Sequence, residues 1–278
     1  MGVKGLYSCL KTYSIPVIFE QEPPCHFALD AYPFLYKYRE DIDTCLKLFK
    51  KLQDVGHTLH IYIDGVPPKE KMEELIQRKH QKEVAYQQAK ALKAFLADDL
   101  KTAELNDDAK AVLEKQVITY EIESWSLRKE IREAFIRRCQ EELNIHTVLC
   151  KGEADTDLIK AAINGEVDIV IANDMDLFVG GVERLWILGK TSQDPLFIEF
   201  RRSAISSHLG IHPKAWTDVA LLTGYEKTTN LKRCSAQQAI VWMRYYGCLE
   251  NLFSRRPEMF KGLSLEEYQK ARTYFQVT

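Results

Sequence analysis

Apolar residues along this chain come in short runs, and three of the runs close on an aspartate: HFALD at Asp30, LHIYID at Asp64 and VDIVIAND at Asp174. Each run has the length of a buried strand, and helical-looking sequence separates them, which predicts a mostly parallel sheet with crossover helices. Ligands of such sheets bind beyond the carboxyl ends of the strands, so the three aspartates are expected along one edge. A fourth run, Ile145 to Cys150, leads into GEADTDLIKAAI, where Glu153, Asp155 and Asp157 crowd the start of a helix. The helix dipole alone favours acids there, by about 0.3–1 kcal/mol each. After Asp176, WILGKTSQDPLFIEF reads as two strands around an Asp-Pro turn, a hairpin at the sheet edge.

Between Pro67 and Leu143 the text turns to Lys, Glu, Gln and Ala, with no glycine, and no proline after Pro68, so helices should dominate. Leu127, Ile131, Phe135 and Cys139 recur every four residues and give the last of these helices an apolar stripe. Taken without its flanks, the segment also admits, less readily, a coiled-coil-like interaction arm. From Arg202 to Thr278 the pattern is helical again, with no repeat and no low-complexity tail.

Composition narrows the class. A chain of 278 residues, 46% hydrophobic, can bury a substantial core, and a formal net charge of -2 does not announce a nucleic-acid binder. The seven cysteines, Cys9, Cys25, Cys45, Cys139, Cys150, Cys234 and Cys248, form no C-x-x-C pair, which fits a reduced intracellular protein better than a disulfide scaffold or a structural zinc site. Nucleus and cytoplasm are both open. The N-terminus lacks a signal-peptide core, Leu6 stands where a myristoylation signal needs Ser or Thr, and no apolar run approaches the ~18 residues of a membrane span. A soluble protein without a membrane partner is expected.

One aspartate after a strand is most simply a turn residue or a helix N-cap. Three of them, joined by Glu153 and Asp155, are harder to account for that way, because carboxylates within a few ångströms repel one another in a low-dielectric setting. Hard divalent cations such as Mg²⁺ or Mn²⁺ relieve that repulsion with oxygen ligands alone, and two ions about 4 Å apart suit phosphodiester hydrolysis. Asp174 and Asp176, if both lie on an extended strand end, point the same way.

The blocks carrying these residues resemble the flap-endonuclease (XPG-like) family of structure-specific 5′ nucleases over nearly the whole chain. MGVKGL resembles that family's start, ALDAYPFLY its first metal aspartate, IDGVPPKEKMEELIQR the block after the second strand, GEAD its acidic helix start and NDMDLFVGG its later aspartate pair. The resemblance implies that Asp30, Asp64, Glu153, Asp155, Asp174 and Asp176 hold two Mg²⁺ (or Mn²⁺), and that Lys71 and Arg78, on one helix face, contact the scissile phosphate. It further implies that Gly2 packs near the site, that Tyr36 stacks on a base, and that the helices after Arg78 form an arch or cap selecting 5′ ends. The clusters Arg78, Lys79 and Lys82, and Arg128, Lys129, Arg132, Arg137 and Arg138, read either as phosphate contacts or as ordinary paired surface.

Two blocks depart from the family pattern. VALLTGYEKTTNLKRCSAQQAIVWM offers Glu226 where the family has a further metal aspartate, and the extra methylene keeps the metal distance only if the backbone recedes; Asp218 is a remoter substitute. The glycine-rich hairpin that grips duplex is absent there, leaving Lys232 and Arg233 as side-chain contacts. No complete sliding-clamp motif follows SLEEYQKARTYFQVT, which fits a compact, divergent member, a viral one included, or a chain that stops early.

The expectation is therefore an α/β, PIN-like 5′-nuclease fold as a single domain over 1–278, with a helical cap at 67–143 and a C-terminal helical region at 202–278 carrying a degenerate duplex-binding hairpin. The expected activity is two-metal hydrolysis of DNA near 5′ ends, flaps or branches, in replication, repair or recombination, by a monomer. An RNA-cleaving relative and a catalytically inactive binding scaffold are the alternatives.

Overall fold

The computed structural model describes residues 3–68, 71–98, 102, 105–189, 191, 193–224 and 234–273. By internal contacts the chain divides into two compact units, Met1–Gly65 with Ala134–Thr278, and Val66–Glu133.

The first unit is built on a seven-stranded sheet in the order β1-β7-β6-β5-β2-β3-β4, with β1 Ile15–Val17, β2 His26–Asp30, β3 Thr58–Ile63, β4 His146–Leu149, β5 Ile169–Ile171, β6 Arg184–Leu188 and β7 Phe197–Arg201. Strands β6, β5, β2, β3 and β4 are parallel neighbours. The central ones carry unbroken apolar text because both faces are covered: Phe27, Ala28 and Leu29 in β2 and all three residues of β5 are fully buried. From β2 the chain builds outward through β3 and β4, then returns to the other side of β2 to start β5. The order reverses between β2 and β5, and crevices open at such switch points.

The predicted hairpin is β6–β7, antiparallel with Leu188 opposite Phe197. It is not the sheet edge, however. β1 pairs with β7 and takes that place, with Pro16 on it, a residue that edge strands tolerate. Glu199 of β7 is buried and held by Arg184, Arg201 and the Trp186 Nε1–H, at 2.5, 2.6 and 3.1 Å.

One face of the sheet is covered by α2 (Ala31–Tyr38), α3 (Ile42–Asp54) and α6 (Lys129–Leu143), where Phe34 packs on Phe49 and Phe49 on Phe135 with ring centroids 5.0 and 6.0 Å apart. Ile131, Phe135 and Cys139 form the predicted buried stripe, but Leu127 lies before the helix begins. The other face carries α1 (Leu6–Leu10), α7 (Ala154–Ile163), α8 (Asp176–Gly180), α9 (Arg202–Leu209), α10 (Trp216–Thr223), α11 (Ala236–Tyr246), α12 (Leu249–Arg255) and α13 (Leu265–Arg272) around Leu6, Leu10, Leu158, Leu177 and Trp216.

The second unit pairs α4 (Met72–Leu96) with α5 (Asp107–Ser124) along a thin seam of buried Ala85, Ala89 and Val117, with Lys93 and Glu121 joined across it at 2.5 Å. Val84, Tyr86, Val112, Ile118 and Ile122 remain exposed. The unit ends at Glu133, whereas the helical text runs on to 143, so the rest of α6 belongs with the sheet.

Asp218 in α10 is buried; its Oδ1 accepts from Arg272 Nε and Nη2 at 2.9 and 2.6 Å, and its Oδ2 from the Leu249 N–H at 3.0 Å. These bonds tie α10 to α12 and α13. Removing one partner of a buried pair strands the other charge, so Arg272→Ala is expected to lose about 3 kcal/mol of stability. Urea unfolding followed by circular dichroism measures it, and Asp218→Asn, which keeps an acceptor for Leu249, should lose less.

Candidate metal centre

The acidic residues reach one edge because their strands pair in register. Parallel pairing sets Asp30 beside Tyr62, so Asp64 follows two residues on, and sets Leu29 beside Ile171, three residues before Asp174. Glu153 stands at the N-cap of α7 and Asp155 in its first turn.

Each of three aspartates gives one oxygen to the head of a helix. Asp30 Oδ1 accepts from the Tyr32 N–H at 2.9 Å, Asp64 Oδ1 from the Ala154 N–H at 2.7 Å, and Asp174 Oδ1 from the Asp176 N–H at 2.9 Å. The capping explanation of these residues is thus correct as far as it goes, and a carboxylate has a second oxygen to offer. Asp174 and Asp176 are not on an extended strand end: β5 stops at Ile171, Asp174 lies in the following turn and Asp176 opens α8. Their two-residue spacing comes from a turn that caps a helix.

Gly65 carries no signal in the sequence beyond following Asp64. In the structure a Cβ there would lie 2.0 Å from the Cys150 carbonyl oxygen, and its N–H donates to the Gly152 carbonyl at 2.7 Å. That close approach fixes the end of β3 against the loop that leads into Glu153 and Asp155.

The electrostatics show the strain of the arrangement. Burial pushes the Asp30 carboxyl up to about 7, against the pull of the Tyr32 N–H, with further upward pressure from Asp64 and Asp174. Asp155 is raised well above its ordinary value by burial first and then by Asp174, Asp30, Asp176 and Asp64. Five carboxylates therefore feel one another in a poorly solvated pocket. Among the described residues no three His, Cys, Asp or Glu side chains are already drawn to chelating distance. The donor set is all oxygen, which suits a hard divalent cation, and such a cation would relieve the repulsion.

Tyr36 is on α2 in the same unit, 44% exposed, its ring stacked over Tyr32 with centroids 6.3 Å apart. Lys71 and Arg78 belong to the second unit: Lys71 is the N-cap of α4, and Arg78 Nη2 pairs with Glu74 Oε1 one turn earlier at 2.6 Å. Gly2, Glu226, Lys232 and Arg233 lie outside the described residues.

A mostly parallel sheet that gathers carboxylates at its switch point, with helices on both faces, is the PIN-like 5′-nuclease fold. No family model matches the chain. It is 25% identical over 235 residues to flap endonuclease 1 of Methanothrix thermoacetophila, covering 81% of this chain and 63% of that protein. It is 28% identical over 140 residues to flap endonuclease 1-B of Sorghum bicolor, covering 48% of this chain and 32% of that one. The catalytic core of Rad2 in complex with a DNA substrate superposes with a TM-score of 0.63 at 17% identity, over 98% of this chain and 79% of that one. The chain is thus similar in sequence to flap endonucleases and shares the fold of the Rad2 core, and it spans less than two thirds of the length of these curated relatives.

A carboxyl raised in the fold favours the protonated native state, so its contribution to stability is full below the unfolded value of 3.8 and is lost as pH rises through about 7. In chelator the melting temperature should fall between pH 5 and pH 8, and added Mg²⁺ should raise it more at pH 8 than at pH 5. Asp30→Asn should flatten both trends in the same calorimetric scans.

Proposed function

We propose that this chain is a divalent-metal-dependent nuclease that hydrolyses phosphodiester bonds in DNA at 5′ ends, flaps or branches. The observation that carries the reading is the gathering of Asp30, Asp64, Asp155, Asp174 and Asp176 towards the carboxyl edge of the sheet, where burial first and then the other four acids raise Asp155. The likeness to a Rad2 core solved with DNA supports DNA as the substrate. Among the described residues no helix is long and apolar enough to cross a membrane.

In this reading Asp30, Asp64, Glu153, Asp155, Asp174 and Asp176 hold two Mg²⁺ or Mn²⁺, with Glu226 as a further ligand. Bound cations would supply an acidified water and an electrophilic hold on the leaving oxygen. The protein's own residues do the rest. The caps on Tyr32, Ala154 and Asp176 fix one oxygen of each aspartate, so no reorganisation is needed when charge develops. Lys71 and Arg78 are assigned to the phosphate, where Arg78 would exchange Glu74 for a phosphate oxygen. Tyr36, exposed on α2, is assigned to stack on a base, with Gly2, Lys232 and Arg233 as further substrate contacts.

Cleavage of a 5′-flap DNA should require Mg²⁺ or Mn²⁺, stop in chelator, and fall at least about 10³-fold in Asp174→Ala. Unchanged cleavage by that variant would sink the proposal. Single-stranded RNA at equal concentration should be cut more slowly; preference for it would move the chain to an RNA-cleaving role. A protein that binds no divalent ion at millimolar concentration would be a binding scaffold instead.

A further inference from the structure

A second cleft opens on the same carboxyl edge, next to the acidic pocket. It has a volume of about 660 Å³, and Val3, Tyr7 and Lys11 of the N-terminal segment face Ile187 and Ile198 of the β6–β7 hairpin across it. That volume falls within the roughly 300–1,000 Å³ of small-ligand sites. Asn173 and Met175, the residues on either side of Asp174, also line it. β6 is the direct neighbour of β5, the strand that leads into the Asp174 turn.

Its lining is mixed in an ordered way. Tyr7 has Phe200 tilted against it, centroids 5.9 Å apart, and Lys11 Nζ lies over its ring, 6.0 Å from the centre, a cation–π contact that a stacked base displaces as Lys11 turns to the phosphate. Ile187 and Ile198 make an apolar wall. Asn173 Oδ1 accepts the Leu188 N–H at 3.0 Å; because that backbone group can only donate, the amide orientation is fixed and Nδ2 keeps its donors for a ligand. Asp194, the acid on the rim, is engaged with the Thr191 N–H and hydroxyl at 2.9 and 2.8 Å. An aromatic face, an apolar wall, an amide donor and one lysine are the complement of a base joined to a phosphate.

We propose that this cleft is a nucleotide subsite, which takes the nucleoside beside the scissile phosphate, base against Tyr7 with its edge at Asn173, and the adjoining phosphate at Lys11. The identity of the ligand rests on the nuclease reading above. The site itself can be tested apart from it, because in chelator no cation holds a phosphate at the carboxylates, and the Tyr7 and Lys11 variants read the cleft's own share of the binding.

The test is calorimetric titration of the full chain in EDTA with 5′-deoxyadenylate, with deoxyadenosine and inorganic phosphate as separate arms. The nucleotide should bind at roughly millimolar concentration or tighter, and each fragment more weakly. Tyr7→Ala and Lys11→Ala should each weaken it at least about fivefold, while Tyr7→Phe, which keeps the ring and its packing on Phe200, should bind as the unmodified chain does. Asp174→Ala should retain binding, so loss of cleavage with binding intact would leave the cleft standing apart from the chemistry. In flap cleavage Lys11→Ala should raise KM with little change in kcat. No binding of the nucleotide in EDTA, binding as strong for phosphate alone, or binding indifferent to both Lys11→Ala and Tyr7→Ala would overturn the proposal.

Discussion

Repulsion among carboxylates at the end of a parallel sheet is the constraint around which this molecule is arranged. Pairing β2 with β3 on one side and β5 on the other brings Asp30, Asp64 and the Asp174 turn together whether or not that is favourable. The sheet can hold them there because its interior is apolar and continuous, with Phe27, Leu29, Ile61 and Ile169 excluded from water. The cost appears at the edge, in an Asp30 carboxyl pushed up to about 7 by burial and by its neighbours.

The backbone softens that cost without removing it. Helices begin beside three of the aspartates, and each accepts an N–H from a helix head, where the dipole favours negative charge. The same bonds orient the carboxylates before any cation arrives. Capping and metal holding are usually weighed as rival accounts of an aspartate; under the proposed function the first would provide the rigidity that the second needs. Gly65 serves the same end by letting β3 close on the loop before α7.

The residues assigned to the proposed chemistry fall in both units. The sheet unit owns every described carboxylate of the acidic set and Tyr36, whereas Lys71 and Arg78 sit on α4 of the helical unit. That unit has only a thin apolar seam and an exposed apolar surface, as expected of a segment whose composition favours helix but offers little core. Asp218, the nearest described acid to the divergent block, is held by Arg272 and the Leu249 N–H.

Much of this was legible in the residues. Strand-length apolar runs ending in Asp30 and Asp64, and the acidic start of α7, carry their own local signal, because burial on two faces and helix-end chemistry act within a few residues. The Asp174–Asp176 pair misled in its geometry, since a two-residue spacing cannot tell an extended strand from a turn that caps a helix. The edge strand β1 was invisible, being three residues long with a proline inside it. The sequence by itself determined which side chains are acidic, where strands stop and where helices start. Only the tertiary structure decided that Asp64 caps a helix 90 residues away, that Gly65 must be bare, and that Tyr7 and Lys11 face the hairpin beside Asp174. Those relations depend on strand order and register, which are set by long-range pairing and leave no local mark.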